Sequence, residues 1–114
     1  MSNIRTQGSL PAEFLLSEGN GQISRERIVV KEGPALPSGQ VLGVTGTGQY
    51  APYSNTANDG SEAAAAILYA PLPADSEPRW ATVIVRLAEV SASLLTDLDA
   101  AGRSDLATHM IIVR

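Results

Sequence analysis

The chain has 114 residues, a formal net charge of −4, Lys31 as its only lysine, and no cysteine. That length fits one domain, the charge offers no basic stripe for neutralising a phosphate backbone, and disulfide staples are excluded. No apolar run approaches the roughly 20 residues needed to span a bilayer, and the N-terminus lacks the apolar stretch of a secretory signal. These features fit assembly or action in a reducing cytoplasm. One Phe, one Trp and three Tyr leave few large side chains for a core. The expectation is a modestly stable monomer or a further surface buried against partners.

The first 22 residues differ from the rest. Met1 to Gly8 is mostly polar around Ile4 and Arg5, Leu10-Pro11 follows, then Phe14, Leu15 and Leu16, and Asn20-Gly21 closes with a turn signal. Pro11 removes a backbone donor and biases Leu10 toward extended geometry. The composition admits three readings: a helical turn capped by Ser9, an extended arm whose apolar residues need a partner, or a frayed terminus.

Ser24 to Lys31 reads as a strand around Ile28-Val29-Val30, bounded by Gly33-Pro34. Pro37-Ser38-Gly39 turns the chain into a second strand, Gln40 to Val44. Gly46 and Gly48 bracket Thr47, and Gln49 to Tyr53 is extended, with Pro52 near an edge. Asn55 to Gly60 is a polar loop ending in Asp59-Gly60, the strongest local turn signal in the chain. Glu62 to Tyr69 carries both the helix propensity of Ala63 to Ala66 and the strand preference of Ile67-Leu68-Tyr69. A strand is favoured, since the alanines would let another backbone or sheet approach closely. Pro71 and Pro73 stop any helix, and Ala74 to Arg79 is a loop.

Trp80 to Leu87 shows the cleanest alternation, with Ala81, Val83, Val85 and Leu87 on one side and Thr82, Ile84 and Arg86 on the other. Val90, Leu94, Leu95, Leu98 and Ala101 recur at helical spacing up to Gly102, a C-terminal stop signal. Ser104 caps a short turn over Asp105 to His109, and Met110 to Val113 closes as an apolar strand. The predicted class is α+β, mainly β: a small β-domain with one or two short helices near the C-terminus.

The inventory of reactive groups is poor. Gly46-Thr47-Gly48 lacks the third glycine and opening helix of a dinucleotide fingerprint and reads as a hairpin turn. Asp59 and Glu62 offer too few oxygens for calcium and read as turn caps. His109 is the only histidine, so neither a zinc site nor a catalytic pair can be assembled around it; it reads as a partly buried helix-end residue. Asp97, Asp99 and Asp105 form an acidic patch, read as a solvated helix face. Ser24 has no nucleophile elbow around it. The residues support no catalytic, cofactor or metal site, no nucleic-acid or membrane partner, and no small-molecule substrate.

One ordered series of segments carries a resemblance. It runs Ile23-Ser24-Arg25-Glu26 with Val29-Val30, then Leu36 and Gly39 into Val41-Leu42-Gly43, then Thr47-Gly48-Gln49-Tyr50 with Tyr53. It continues with Asp59-Gly60-Ser61-Glu62-Ala63-Ala64, Ala66-Ile67-Leu68, Val83-Ile84-Val85-Arg86, Ala88-Glu89-Val90 and Ile111-Ile112-Val113-Arg114. From about Gly19 to Arg114 the chain resembles the head decoration proteins of lambda-like tailed bacteriophages. The resemblance implies a capsid cement, a mostly β subunit that trimerises on quasi-threefold sites of the expanded head and holds it against packaged-DNA pressure. Its partners would be the major capsid protein and two further copies of itself, on the outer capsid surface, with no enzyme activity. It further implies an N-terminal arm, residues 1–22, that adds to a capsid strand, ahead of a β-rich domain, residues 23–114. By position the arm contacts are Ile4, Arg5, Leu10, Phe14, Leu15 and Leu16. Gly102 departs from the longer helix common before the last strand, and Met1 to Glu18 carries no family motif. A reading from another class is a small β-rich ligand-binding or accessory domain of an enzyme, using the Gly46–Gly48 loop and Asp59 to hold a sugar or an acidic ligand.

Overall fold

A computed structural model describes residues 14–18 and 24–114. Its centre is a closed five-stranded barrel built from β2 (Arg25–Val30), β3 (Val41–Val44), β4 (Tyr50–Pro52), β5 (Ala64–Leu68) and β6 (Arg79–Ile84). The strand order is β2-β4-β3-β5-β6, closed where β6 pairs antiparallel with β2 from Arg25↔Ile84 to Val30↔Arg79. Beside the barrel lies a three-stranded sheet, order β1-β7-β8, of β1 (Leu15–Glu18), β7 (Ala88–Val90) and β8 (Ile111–Val113). A helix, α1 (Ala100–Thr108), precedes β8. The fold is mainly β, as the residue pattern predicts.

Alternation along the strands divides the apolar residues between two cores. Val30, Leu42, Ala66, Leu68, Ala81 and Val83, drawn from four strands, fill the barrel with Tyr50 of β4 packed against them. Their chain neighbours point the other way. Val41, Ile67 and Ile84 meet Phe14, Ala88, Val90, Leu106, Ile111 and Val113 in a second core between barrel, sheet and helix. β5 is therefore apolar throughout because both of its faces are covered. Its pairing with β3 shifts register between Leu42↔Ala66 and Gly43↔Ala64, so Ala64 and Ala66 enter different cores. At Gly43 the backbones approach closely: a Cβ there would lie 2.6 Å from Ser61 Cα and 2.7 Å from the Ala63 carbonyl. Only a hydrogen fits where that loop crosses β3.

One end of the barrel is closed by two loops. Gly33 bridges Asp75 and Leu36 bridges Leu72, each pair exchanging two backbone hydrogen bonds. Arg79 lies beneath them, 7% exposed, and binds three carbonyls: Nη1 donates to Pro34 (2.8 Å) and Pro73 (2.9 Å), and Nη2 to Lys31 (2.6 Å).

Three expectations meet a different arrangement. The helix read over Val90 to Ala101 is instead the end of β7, a 3₁₀ turn at Ala92–Leu94, and an extended strap in which Thr96 pairs with Gln40. Leu95 and Leu98 of this strap pack against the second core. The true helix starts ten residues later, and Gly102 sits in its first turn rather than ending it. A Cβ at Gly102 would come within 3.0 Å of the Tyr53 ring, so glycine there lets the helix seat on Tyr53. The third difference lies at Trp80 to Leu87. Ile84, grouped with the polar side, is fully buried in the second core, and Leu87 leaves the strand with φ 55° and 40% exposure.

The N-terminal arm expected over residues 1–22 contains residues that join the body. Phe14, the only phenylalanine, is 1% exposed in the second core, and β1 pairs antiparallel with β7. Burying a ring of that size is worth about 1.5–3 kcal/mol, which favours packing over solvent.

Candidate functional site

The loops singled out in the sequence serve the backbone. Gly46-Thr47-Gly48 forms the hairpin turn between β3 and β4: Thr45 N–H donates to the Gln49 carbonyl, and Gly48 N–H to that of Thr45. Gly48 has φ 88°, in the left-handed region. At the next turn Asp59 Oδ1 accepts from Ser61 N–H (3.0 Å) and Ser61 Oγ (2.6 Å), and Glu62 Oε1 accepts from Gly60 N–H. Those Ser61 bonds, the hydroxyl first, hold the Asp59 carboxyl below the usual carboxylate range.

The hairpin, Asp59 and Lys31 line an open cleft of about 400 Å³ with Thr45, Thr47 and Gln49. Within it Asp59 Oδ1 is committed to Ser61, and the Thr45 hydroxyl to the Gln49 carbonyl. His109 caps the C-terminus of α1, solvent-exposed, and is not among the cleft residues. No group of three or more His, Cys, Asp and Glu among the described residues could hold a metal.

The three aspartates read as a solvated patch each fasten the C-terminal segment to the barrel. Asp97 Oδ2 accepts from Gln40 Nε2 (2.7 Å), and Asp105 Oδ2 from Ala64 N–H (3.0 Å). Asp99 is the N-cap of α1. It accepts from Gly102 N–H (2.7 Å), the Tyr53 hydroxyl (2.7 Å) and Asn55 Nδ2 (2.6 Å). The Tyr53 hydroxyl and then Gly102 N–H hold the Asp99 carboxyl below its ordinary value. Burial, reinforced by the bond to Asp99, pushes Tyr53 up to about 12.

The consequence is a pH dependence with a definite sign. The folded state keeps the Tyr53 proton longer than the unfolded chain, so this contribution is complete below about pH 10 and is lost as pH rises through about 12. Asp99 acts oppositely: its contribution is present above about pH 4 and fades as pH falls through its lowered folded value. Urea unfolding of the parent should therefore show a steeper alkaline loss than Tyr53→Phe. Superimposable profiles between pH 9 and 12 would contradict the assignment.

What remains for contact with other molecules is the surface. Among the described residues the large exposed apolar side chains are Leu16, Trp80, Leu87, Leu94, Met110 and Ile112. Trp80 stands on the outer barrel wall, 62% exposed, with the Arg27 guanidinium 5.8 Å from its ring centre. On the same wall Arg25 stacks 4.2 Å over Tyr69 and pairs with Glu18 of β1. Trp, Tyr and Arg are the residue types that anchor protein interfaces. Leu16, Leu87, Met110 and Ile112 belong to the three-stranded sheet and the turns that enter it.

Of the residues placed at a capsid contact by position, Ile4, Arg5 and Leu10 lie outside the described residues. Phe14 is in the core, Leu15 is partly buried against it, and Leu16 is 54% exposed. The structure thus separates three consecutive residues that the sequence grouped together. Trp80, Leu87, Met110 and Ile112 were not picked out as contacts. For Met110 and Ile112 the signal was the run Met110-Ile111-Ile112-Val113, apolar at every position of a short strand, so that not all of it can face the core.

Fold and surface together define a small β-barrel domain with an appended sheet, whose most conspicuous chemistry is apolar surface of the kind that meets other proteins. The chain belongs to the bacteriophage lambda head decoration protein D family, whose model matches residues 4–111. No curated protein matches it. Membership makes this a β-rich phage head decoration protein associated with the capsid, in a family of structural proteins.

Proposed function

We propose that the protein is a capsid cement that binds as a homotrimer at quasi-threefold sites on the outside of the expanded phage head. There it holds neighbouring capsid subunits together against the pressure of packaged DNA. The observation that carries this reading is the family match across residues 4–111. Symmetry supports the trimer, because a threefold plug presents an equivalent surface to each capsid subunit it meets. The proposed arm is the segment before β1. It joins a capsid strand by β-augmentation, and the edge position of β1 in its sheet puts the entry to that segment at the side of the molecule.

The test is to mix the purified full chain with expanded capsids of its own phage and image them. Added density on the threefold positions is expected, together with a trimer mass in sedimentation equilibrium. A protein that stays monomeric both free and capsid-bound, or that leaves the threefold positions bare, would overturn the proposal.

A further inference from the structure

We infer that the outer face of the β1-β7-β8 sheet is the surface that lies against the capsid shell, an apolar docking face carried by Leu16, Leu87, Met110 and Ile112. This rests on the cement reading and adds to it a second contact, distinct from strand addition by the arm.

The register defines the face. Val90 pairs with Val113 and Ala88 with Ile111, and all four side chains are buried in the second core. Alternation therefore turns Glu89 and Ile112, which pair with each other, to the opposite side. Leu87 and Met110 immediately precede β7 and β8, next to each other at one end of the sheet, and both side chains are exposed. On β1 the register shift between Leu15 and Ser17 leaves Leu16 unpaired, with its side chain exposed. Exposures of 54%, 40%, 62% and 48% for Leu16, Leu87, Met110 and Ile112 put four of the six large exposed apolar side chains of the described residues on this sheet and the turns that enter it. Such clustering marks an interaction surface, whereas single exposed apolar residues do not.

The backbone supports the same conclusion. Leu87 and Met110 take left-handed conformations, φ 55° and 62°, and lie side by side where Ala88 N–H donates to the Met110 carbonyl. Such conformations are unfavourable for residues with a side chain. Here they leave the Leu87 and Met110 side chains 40% and 62% exposed.

Charge and connectivity select the occupant. The charged groups of the face, Glu89 and Arg114, pair with each other at 3.2 Å, so in a chain of net charge −4 this surface is neutral. It suits an apolar, weakly charged protein surface, not an anionic polymer. Residue 13 leads directly into Phe14 and β1, the edge strand of this sheet. At about 3.3 Å per residue, residue 13 is within about 10 Å of Leu16 along the chain. A capsid subunit that pairs with the segment before β1 is therefore drawn against the sheet that β1 borders.

The experiment uses the full chain with Met110→Lys and Ile112→Glu together, which preserves net charge. Leu16→Gln, on another strand of the same face, serves as a second variant should the first fail to fold. Thermal unfolding, sedimentation equilibrium and co-pelleting with expanded capsids are read side by side. Expected are a parent-like fold and oligomeric state with capsid affinity weakened about tenfold or more. Parent-like affinity in a folded variant would overturn the inference while leaving the cement reading intact. Loss of self-association would overturn it as well, assigning the face to contact between copies. Failure of the parent chain to bind capsids at all would remove both.

Discussion

Replacing Arg79 with methionine is expected to lower the unfolding free energy by about 3 kcal/mol or more. The aliphatic stem is matched in length, so what disappears is the guanidinium with its three short bonds to Lys31, Pro34 and Pro73 carbonyls. A hydrogen bond from a charged donor contributes roughly 1.5–3 kcal/mol. The three together exceed the expected loss, because water reaches some of the freed carbonyls. Against a typical total of about 5–15 kcal/mol, this is a large fraction. Lysine should not rescue it. A compact ammonium cannot span three carbonyls held by two loops, which the planar fork does with one side chain. The guanidinium is not fully satisfied even in the native protein: its Nε is buried without a partner. The effect should be local before it is global. Amide exchange at Gly33, Leu36, Leu72 and Asp75, whose backbone bonds join the two loops, should accelerate more than exchange within β3 and β5. A change below about 1 kcal/mol with unaltered loop exchange would contradict this account.

Much of the barrel was legible because its strands obey local rules. β2, β3 and β5 lie within segments marked by β-branched residues, alternation and flanking Gly or Pro, and β6 overlaps one, starting a residue earlier at Arg79. A short helix near the C-terminus was expected and is present, but its bounds were not legible, for a physical reason. Over Ala100–Thr108 only Gly102 and Leu106 are buried, so no apolar stripe exists to be read. Its position is set by Asp99 and Tyr53, contacts across 46 residues that periodicity cannot report. The leucines at 94, 95 and 98 mimic helical spacing because a strap crossing a core buries residues at irregular intervals. Arg79 gave no signal at all, since a charged residue at the start of a strand looks like any solvent-facing one. On the surface, Gly46–Gly48 and Asp59 behave as the turn chemistry says. The apolar face is different: it emerges only once β7 and β8 are known to be parallel neighbours, which places Leu87 beside Met110.

Removing residues 1–13 and removing residues 1–16 should separate the arm from the fold. The longer truncation takes Phe14 out of the second core, where it is 1% exposed. Loss of a buried phenylalanine side chain costs about 3–5 kcal/mol. The same cut deletes the Leu15↔Val90 pair and the bond from Ser91 N–H to the Phe14 carbonyl (2.8 Å). Together these approach the whole stability of a small domain, so the product should unfold at room temperature or precipitate. The shorter truncation keeps Phe14 in the second core and β1 on β7, and should stay folded where the longer one does not. On the cement reading it should nonetheless lose capsid affinity by orders of magnitude. A strand of four residues adds about four backbone bonds at about 0.5–1.5 kcal/mol each, a loss of at least about thirtyfold for one arm. Three arms on one trimer compound the loss, because each bound arm holds the other two at high effective concentration. Urea unfolding and capsid co-pelleting of both truncations supply the check. A stable 1–16 truncation would refute the placement of Phe14 as a core residue, and undiminished capsid binding by the 1–13 truncation would refute the arm.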